Sequence, residues 1–464
     1  MTYYLAIDIG ASSGRHILSK VENNKIEIEE VYRFKNNVVE KNGHYYWDTN
    51  YLFNEIKEGI KEAVRKGKKP KTIGIDTWAV DYVLLDQNNQ KLSEAFAYRD
   101  LRVDQVIRLF NQIDLYNKTG IQFQKFNTFY QLKSEKEETL KKVKSFLMIP
   151  DYFHYLLTGK KVNEYTNMTT TQLVDYKTKE LRDDLLAELG VSKEVFQKIV
   201  LPGTNIGPLS DEMQKELGLK ADVVIPATHD TGSAFMASIE DNSLILSSGT
   251  WSLLGIESKE AIVNESSLRA NFTNEGGYNY RYRFLKNIMG LWIIQEVSRE
   301  FAGEYSFGEL VELARKSQYE GIFDVNDERF LKPKNMVDEI ISYFNERHEE
   351  PPHSIGEISY CVYNSLAMSY KQAIEEIEAI THKTYSTVNV IGGGCQNILL
   401  NEMIATITGK RVLAGPVEAT ALGNILAQMI SDGAIKDLND GRKMIKESFE
   451  IKEYKGEYFR FRIC

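Results

Sequence analysis

The chain has 464 residues, 42% of them hydrophobic and 27% charged, a globular composition with apolar material for two or three domains. A net charge of −9, with lysines and arginines scattered along the chain, speaks against nucleic acid or an anionic membrane as partner. Three widely spaced cysteines, Cys361, Cys395 and Cys464, exclude a disulfide framework or a cysteine metal site, and a reducing, cytoplasmic setting is expected.

The N-terminus has no basic leader and no run of eighteen apolar residues follows, so neither a signal peptide nor a membrane span is expected. YLAIDIG (4–10) is an apolar run ending in glycine and predicts a strand. After ASSG, RHILSKVENNKIEIEEVYRF reads as strand, ENN turn, strand. A helix is expected over 50–67, and two strands over 72–86 meeting near Thr77 to Asp81. This order is not the strict βαβ alternation of a dinucleotide fold. Residues 100–220 read as mainly helical, through DQVIRLFNQI, FNTFYQLKSEKEETLKKV, IPDYFHYLLTG and KELRDDLLAELG. ADVVIPA is then a strand leading into HDTGSAF (229–235), which opens a helix.

SLILSSGTWSLLGIE (243–257) repeats the opening device of apolar strand, small-residue turn and apolar strand. The repetition predicts two similar lobes with a boundary near 235–245. Helices follow at 288–301 and 356–382. TVNVIGGGCQNILLNEMIATITG reads as strand, glycine turn and helix, RVLAGP as a short strand, and EATALGNILAQMISDG as a helix. The charged tail 430–464 caps this lobe.

Several stretches suggest chemistry. Asp8 ends a strand and is followed by Gly10, Ser12, Ser13 and Gly14, residues small enough for backbone amides to approach an anion, or simply for a tight turn. LSSGTWS (246–252), with Thr250, is a second such turn; neither is a P-loop or a G-x-G-x-x-G loop. The glycines of VIGGGCQN (390–397) suit a flat ligand or a crowded turn. His229 and Asp230 stand at the mouth of a buried strand, where the aspartate can take a hydroxyl proton during phosphoryl transfer or cap the following helix. Trp78 can cover the apolar face of a sugar while Asp81 or Thr77 bonds its hydroxyls, or all three can be core and turn residues. Asn274, Glu275 and Asn287 suit a polyol or ordinary turns.

DIGASSGR (8–15), IGIDTWAVDYVLLD, YRD (98–100), NTFYQL (127–132), EYTNMTTTQL (164–173), HDTGSA (229–234), LSSGTWSLLG, NFTNEGG, RFLKNIMGLWIIQ (283–295), GGGCQN and GPVEATALGN (415–424) together resemble the FGGY carbohydrate kinase family, within the actin-like/hexokinase-like ATPases. The likeness covers about nine tenths of the chain. It implies an α/β fold of two ribonuclease-H-like lobes with a cleft between them. Residues 1–240 would be the sugar-binding lobe with the catalytic base, and 241–464 the nucleotide-binding lobe. It implies ATP with Mg²⁺, and transfer of the terminal phosphoryl group to O1 of L-rhamnulose in L-rhamnose degradation. Other ketoses, L-fuculose or L-xylulose, are the nearest alternative substrates. A non-catalytic actin-like scaffold is a second alternative, weakened by the presence of Asp230.

Carried over onto this sequence, Ala11, Ser12, Ser13, Gly14 and Arg15 contact ATP and Asp8 helps position the metal. Ala79, His229, Asp230, Thr231 and Asn287 bind the ketose, with Asp230 as proton acceptor. Thr250, Gln295 and Gly393 contact the nucleotide. Two departures stand out. Ala79 replaces a glycine found in some members, and three scattered cysteines do not match the disulfides credited to some relatives.

Overall fold

A computed structural model of the chain describes residues 2–456; Cys464 lies outside them. The chain divides into two compact units. Among the described residues the first comprises 2–237, 257–284 and 419–448, and the second 238–256, 285–418 and 449–456. Segments 257–284 and 419–448, which follow the linear boundary expected near 240, therefore pack within the first unit.

The first unit is built on strands β1 (Tyr3–Ile9), β2 (Ser13–Glu22), β3 (Lys25–Lys35), β4 (Thr72–Thr77), β5 (Thr204–Pro208) and β6 (Asp222–Ile225). Their order across the sheet is β5-β6-β4-β1-β2-β3. β1, β4 and β6 run parallel, while β2 and β5 are antiparallel to their inner neighbours β1 and β6. The β2–β3 turn works because Asn23 and Asn24 both take positive φ, 53° and 61°, matching the right-handed twist of the strands. Leu5, Ile7, Ile73, Ile75, Val223 and Ile225 fill the core beneath. Helix Thr49–Arg65 covers this sheet, capped by Asp48, whose side chain accepts from the Tyr51 amide. His16 fills the place where a side chain on Gly59 would project, and its Nε2 bonds the Ile56 carbonyl at 3.0 Å.

The helix Ala419–Ser431, which follows the long segment 285–418 of the second unit, also lies on this sheet. Gln428 Nε2 donates to the Leu5 carbonyl at 3.0 Å and its Oε1 accepts from Thr72 at 2.6 Å. Gly423 lets the helix pass against the backbone of helix Asp230–Met236; a Cβ there would overlap the Ser233 carbonyl.

The second unit repeats the plan. Strands β7 (Leu244–Ser248), β8 (Trp251–Ser258), β9 (Tyr282–Met289), β10 (Thr387–Ile391), β11 (Arg411–Ala414) and β12 (Lys452–Tyr454) lie in the order β9-β8-β7-β10-β11-β12 within a seven-stranded sheet whose remaining strand, Thr273–Gly276, follows β9. β7 pairs antiparallel with β8 and parallel with β10, β10 parallel with β11, and β11 antiparallel with β12. The long helix Ile355–Thr381 starts at a Ser354/Glu357 capping box and packs beside helix Ile398–Thr408. Two α/β lobes, each with a central mixed sheet, are thus present, as the repeated device predicts.

Two helical expectations need correction. DQVIRLFNQI forms two short 3₁₀ turns, Leu101–Gln105 and Ile107–Leu109. Leu101 and Leu109 are exposed and only Val103 is buried there, so no apolar face rewards a longer helix built on β-branched residues. The helix expected from 288 begins at Trp292, because Ile288 and Met289 continue the buried strand β9.

Candidate active site

In open α/β sheets, ligands bind beyond the carboxyl ends of the parallel strands. In the first unit that edge gathers three carboxylates: Asp8 from β1, Asp76 from β4 and Asp230 from the start of the helix that follows β6. Asp8 and Asp76 are register partners on neighbouring strands. Asp8 Oδ2 pairs with Arg15 Nη2 at 3.0 Å. Asp76 is fully buried; Oδ2 accepts from Asn424 Nδ2 at 2.6 Å, while Oδ1 has no hydrogen-bond partner. Burial, followed by the neighbouring Asp8 charge, raises the Asp76 carboxyl well above the usual carboxylate range.

Asp230 differs from both in being partly exposed. Its Oδ1 accepts from the Thr231 amide at 2.6 Å and the Thr231 hydroxyl at 3.2 Å. No hydrogen bond engages Oδ2 among the described residues, leaving that oxygen available for a proton. The loop before it is pinned from behind: Glu164, fully buried, accepts from the Thr228 amide at 3.0 Å and hydroxyl at 2.9 Å, and from Thr166. His229 lies against this edge with Nε2 3.4 Å from Asp230 Oδ1. Its Nδ1 is 3.0 Å from Arg283 Nη2 and 3.3 Å from Glu275 Oε2. Arg283 Nη2 is in turn 3.0 Å from Glu275 Oε2. Burial pushes the Glu275 carboxyl up, but the Arg283 guanidinium leads the groups that outweigh it and hold the carboxyl below its usual range.

Beside β4 the chain turns sharply. Val80 has φ +67°, a strained conformation for a β-branched residue, and its carbonyl is held by Thr128 Oγ1 at 2.6 Å and Gln131 Nε2 at 3.3 Å. The turn leaves Ala79 partly exposed. Trp78 is buried, its Nε1 donating to Asp81 Oδ2 at 2.9 Å. Asp81 also accepts from Trp47 Nε1 at 2.6 Å, the Tyr98 amide at 3.0 Å and Gln131 Nε2 at 2.9 Å. Burial raises its carboxyl to about 6 against these donors. Both Asp81 oxygens are therefore engaged within the protein, the arrangement of a core tryptophan and its capping carboxylate. Asn274 is likewise engaged, with Gly120 and Ile262. Thr77 Oγ1 bonds the Trp78 carbonyl at 2.7 Å.

The first small-residue turn is braced by Asn36, whose amide donates to the Ser12 carbonyl and whose side chain donates to the Gly10 carbonyl, both at 2.9 Å. Gly14 is required by packing, since a Cβ would overlap the Phe34 ring. Ala11, Ser12, Ser13 and Arg15 remain at least partly exposed.

The second unit carries the other turns. Gly249 closes the β7–β8 hairpin, and Gly290 passes so close over it that a Cβ would sit 2.7 Å from the Gly249 carbonyl. Thr250 is exposed, its Oγ1 3.5 Å from Gln295 Oε1. Asn287 is partly exposed on β9. The three glycines after β10 divide cleanly. Gly392 has φ +80°, Gly394 abuts Ser248, and a Cβ on Gly393 would meet nothing within 4 Å. Fold packing explains two of them, and Gly393 alone leaves an open face. Cys395 next to it is buried, with its thiol pushed up to about 12 by burial, which fits an inert core residue.

Residues 3–237 match the model of the FGGY family of carbohydrate kinases, N-terminal domain, and residues 244–431 match its C-terminal domain. This chain belongs to the FGGY family. As an FGGY member it is an ATP-dependent carbohydrate kinase. It is 52% identical over 463 residues to a rhamnulokinase from Halalkalibacterium halodurans, covering 98% of this chain and 99% of that one. A rhamnulokinase from Bacillus subtilis is 44% identical over 459 residues, 97% of this chain and 95% of that one. Among solved structures, a ligand-bound xylulose kinase from Lactobacillus acidophilus aligns with TM-score 0.82 at 17% identity, covering 98% of this FGGY chain and 94% of the other. Plasmodium falciparum glycerol kinase with ADP aligns with TM-score 0.79 at 15% identity, with coverage of 98% and 94%. These two share the fold.

The residues present fit magnesium in the FGGY site. Among the described residues no three acidic, histidine or cysteine side chains form a closed metal cage. Magnesium asks for less, one or two carboxylates with the rest of its shell from water and phosphate. Asp8, with the unpartnered oxygen of Asp76 beside it, meets that demand. In the sequence Asp8 stands out at a strand end and Asp76 carries no expected role, although AIDIG and GIDTW place an aspartate at the same point of two strand ends.

Proposed function

We propose that this kinase transfers the terminal phosphoryl group of ATP to O1 of L-rhamnulose, with Asp230 as general base. The near full-length likeness to rhamnulokinases supports the substrate. The observation that carries the mechanism is the contrast among the three carboxylates: Asp8 is paired with arginine, Asp76 is buried, and Asp230 is partly exposed with Oδ2 unengaged.

In the reaction the O1 hydroxyl attacks the γ-phosphorus, its proton passes to an Asp230 oxygen, and the bond from the γ-phosphorus to the bridging oxygen breaks to release ADP. His229, Thr231, Ala79 and Asn287 hold the ketose. Trp78 and Asp81 act through shape, since their polar atoms are occupied internally. Ala11 to Arg15, Thr250, Gln295 and Gly393 contact the nucleotide. Magnesium, held at Asp8 and Asp76, supplies charge neutralisation for the phosphates when bound. Residues 1–240 would then carry most of the sugar site and residues 241–464 most of the nucleotide site. Among the described residues no helix is long and apolar enough to cross a membrane.

ADP release measured across L-rhamnulose, L-fuculose and L-xylulose, with mass and NMR analysis of the product, tests this reading. L-rhamnulose 1-phosphate as the preferred product is expected; faster turnover of another ketose, or phosphate on another oxygen, would overturn it.

A further inference from the structure

The residues behind His229 have a role that neither the family match nor the sequence motifs assign. Arg283 is wholly buried, yet it enters from β9 and stops with Nη2 3.0 Å from His229 Nδ1. Its Nε donates to the Gly276 carbonyl at 2.9 Å, which fixes the plane of the guanidinium. Burial draws the guanidinium down from its ordinary range, but that range lies so far above neutrality that the group stays charged. Glu275 supplies the counter-charge that a buried cation requires.

A guanidinium has only donors. Where its N–H meets an imidazole nitrogen at hydrogen-bond distance, that nitrogen must present its lone pair. A proton on Nδ1 would point at the arginine proton. Glu275 Oε2 is also near Nδ1, at 3.3 Å, but is not in hydrogen-bonding geometry with it, and Arg283 lies between the two roles by touching both. Of the two possible donors and acceptors, the arginine decides.

We propose that Arg283, held by Glu275, is a positioning residue that locks His229 in the tautomer with its proton on Nε2, so that the imidazole presents an N–H donor toward Asp230. Nε2 stands 3.4 Å from Asp230 Oδ1, long for a hydrogen bond but of the kind that tightens when substrate is bound. With the proton there, His229 joins the Thr231 amide in holding Oδ1 and leaves Oδ2 to receive the substrate proton. With the opposite tautomer a lone pair would face the carboxylate, and the base would turn away. Arg283 thus acts on the chemistry through one intervening ring without touching the sugar. This rests on the reading of Asp230 as base, but the tautomer itself does not.

The test separates the two. ¹⁵N-histidine-labelled enzyme at pH 8 is recorded by long-range ¹H–¹⁵N correlation, with His229 assigned by its disappearance in His229→Gln. The expected pattern is a neutral ring protonated at Nε2; protonation at Nδ1, or at both nitrogens, would overturn the proposal whatever Asp230 does. Arg283→Met combined with Glu275→Gln removes both buried charges together and so avoids stranding one. In that variant His229 is expected to populate both tautomers, and kcat to fall by about 10- to 100-fold, the usual effect of losing a partner that orients a histidine, with KM for the ketose changed less. An unaltered His229 spectrum in that variant would count against the lock. In a His229→Gln background, where the amide has no tautomer to set, the same pair of substitutions should cost little. An equal loss in both backgrounds would mark Arg283 as merely structural.

Discussion

The two sheets share their inner arrangement, β4-β1-β2-β3 and β10-β7-β8-β9, but the last strand in chain order lies inside the edge strand in the first and at the edge in the second, and their carboxyl edges are chemically unlike. At the register position where β1 and β4 pair Asp8 with Asp76, β7 and β10 pair Ser247 with Ile391. The first edge continues into His229 and Asp230, the second into Ser-Ser-Gly-Thr and Gly-Gly-Gly. Backbone topology determines where a ligand can reach the strand ends. The side chains there decide whether the edge handles protons and cations or offers bare backbone to a ligand. A duplicated scaffold can therefore divide labour with few changes of residue.

That contrast can be tested from its strongest consequence downward. Asp230→Asn should lower kcat by about 10²- to 10⁴-fold, the range for removal of a general base, while nucleotide affinity measured by calorimetry stays nearly unchanged. A comparable loss of nucleotide affinity would mean that the acidic edge is not specialised for the proton.

Acid sensitivity should also belong to the first unit. Burial holds His16 down at about 4 and His154 at about 3, and both lie there, whereas the described histidines of the second unit are exposed. The unfolded chain, with histidines near 6.5, binds more protons than the folded one below that pH. Stability is then full above about pH 6.5 and is lost as the pH falls toward 4 and 3, with His16 alone contributing at most about 3 kcal/mol. Hydrogen exchange should show protection lost first in the first unit on acidification, and His16→Gln should flatten the slope of stability against pH between 6.5 and 4.

Two glycine substitutions sharpen the comparison further. Gly423→Ala forces a Cβ against the backbone of the helix that begins with Asp230, so urea unfolding should show a loss of about 1–3 kcal/mol, with kcat reduced as well. Gly393→Ala meets no neighbour, so stability should change by about 0.5 kcal/mol or less, and the main effect should be a several-fold higher KM for ATP. If Gly393→Ala instead unfolds the protein and leaves KM alone, the open face beside Gly393 has no ligand.

Local features were legible because their causes are local. The alternating strands, the Asn23-Asn24 turn, the Ser354 cap and the repeated strand-turn-strand device each follow from residues close in sequence. Asp8, His229 and Asp230 could be singled out because each follows or ends an apolar run. Arg283 and Glu275 could not be joined to His229, being 54 and 46 residues away with the β7–β8 hairpin intervening. The partners of Asp76 and Gly423 were equally hidden. One lies 348 residues away, and the other is a helix whose contact depends on chain returning from the second unit. In the sequence Trp78 and Asp81 suit either a sugar platform or a core tryptophan with a capping carboxylate, and only the surrounding donors reveal how fully their polar atoms are engaged.

The sequence by itself determined the family, the repeated strand-turn-strand device and the residue types available at each strand end, since these rest on periodicity and short motifs. Tertiary structure alone decided which carboxylate stays partly exposed, which is buried and which is paired, and which nitrogen of His229 faces arginine. Those properties depend on desolvation and on distances of a few ångströms between groups far apart in the chain, quantities that no linear spacing encodes.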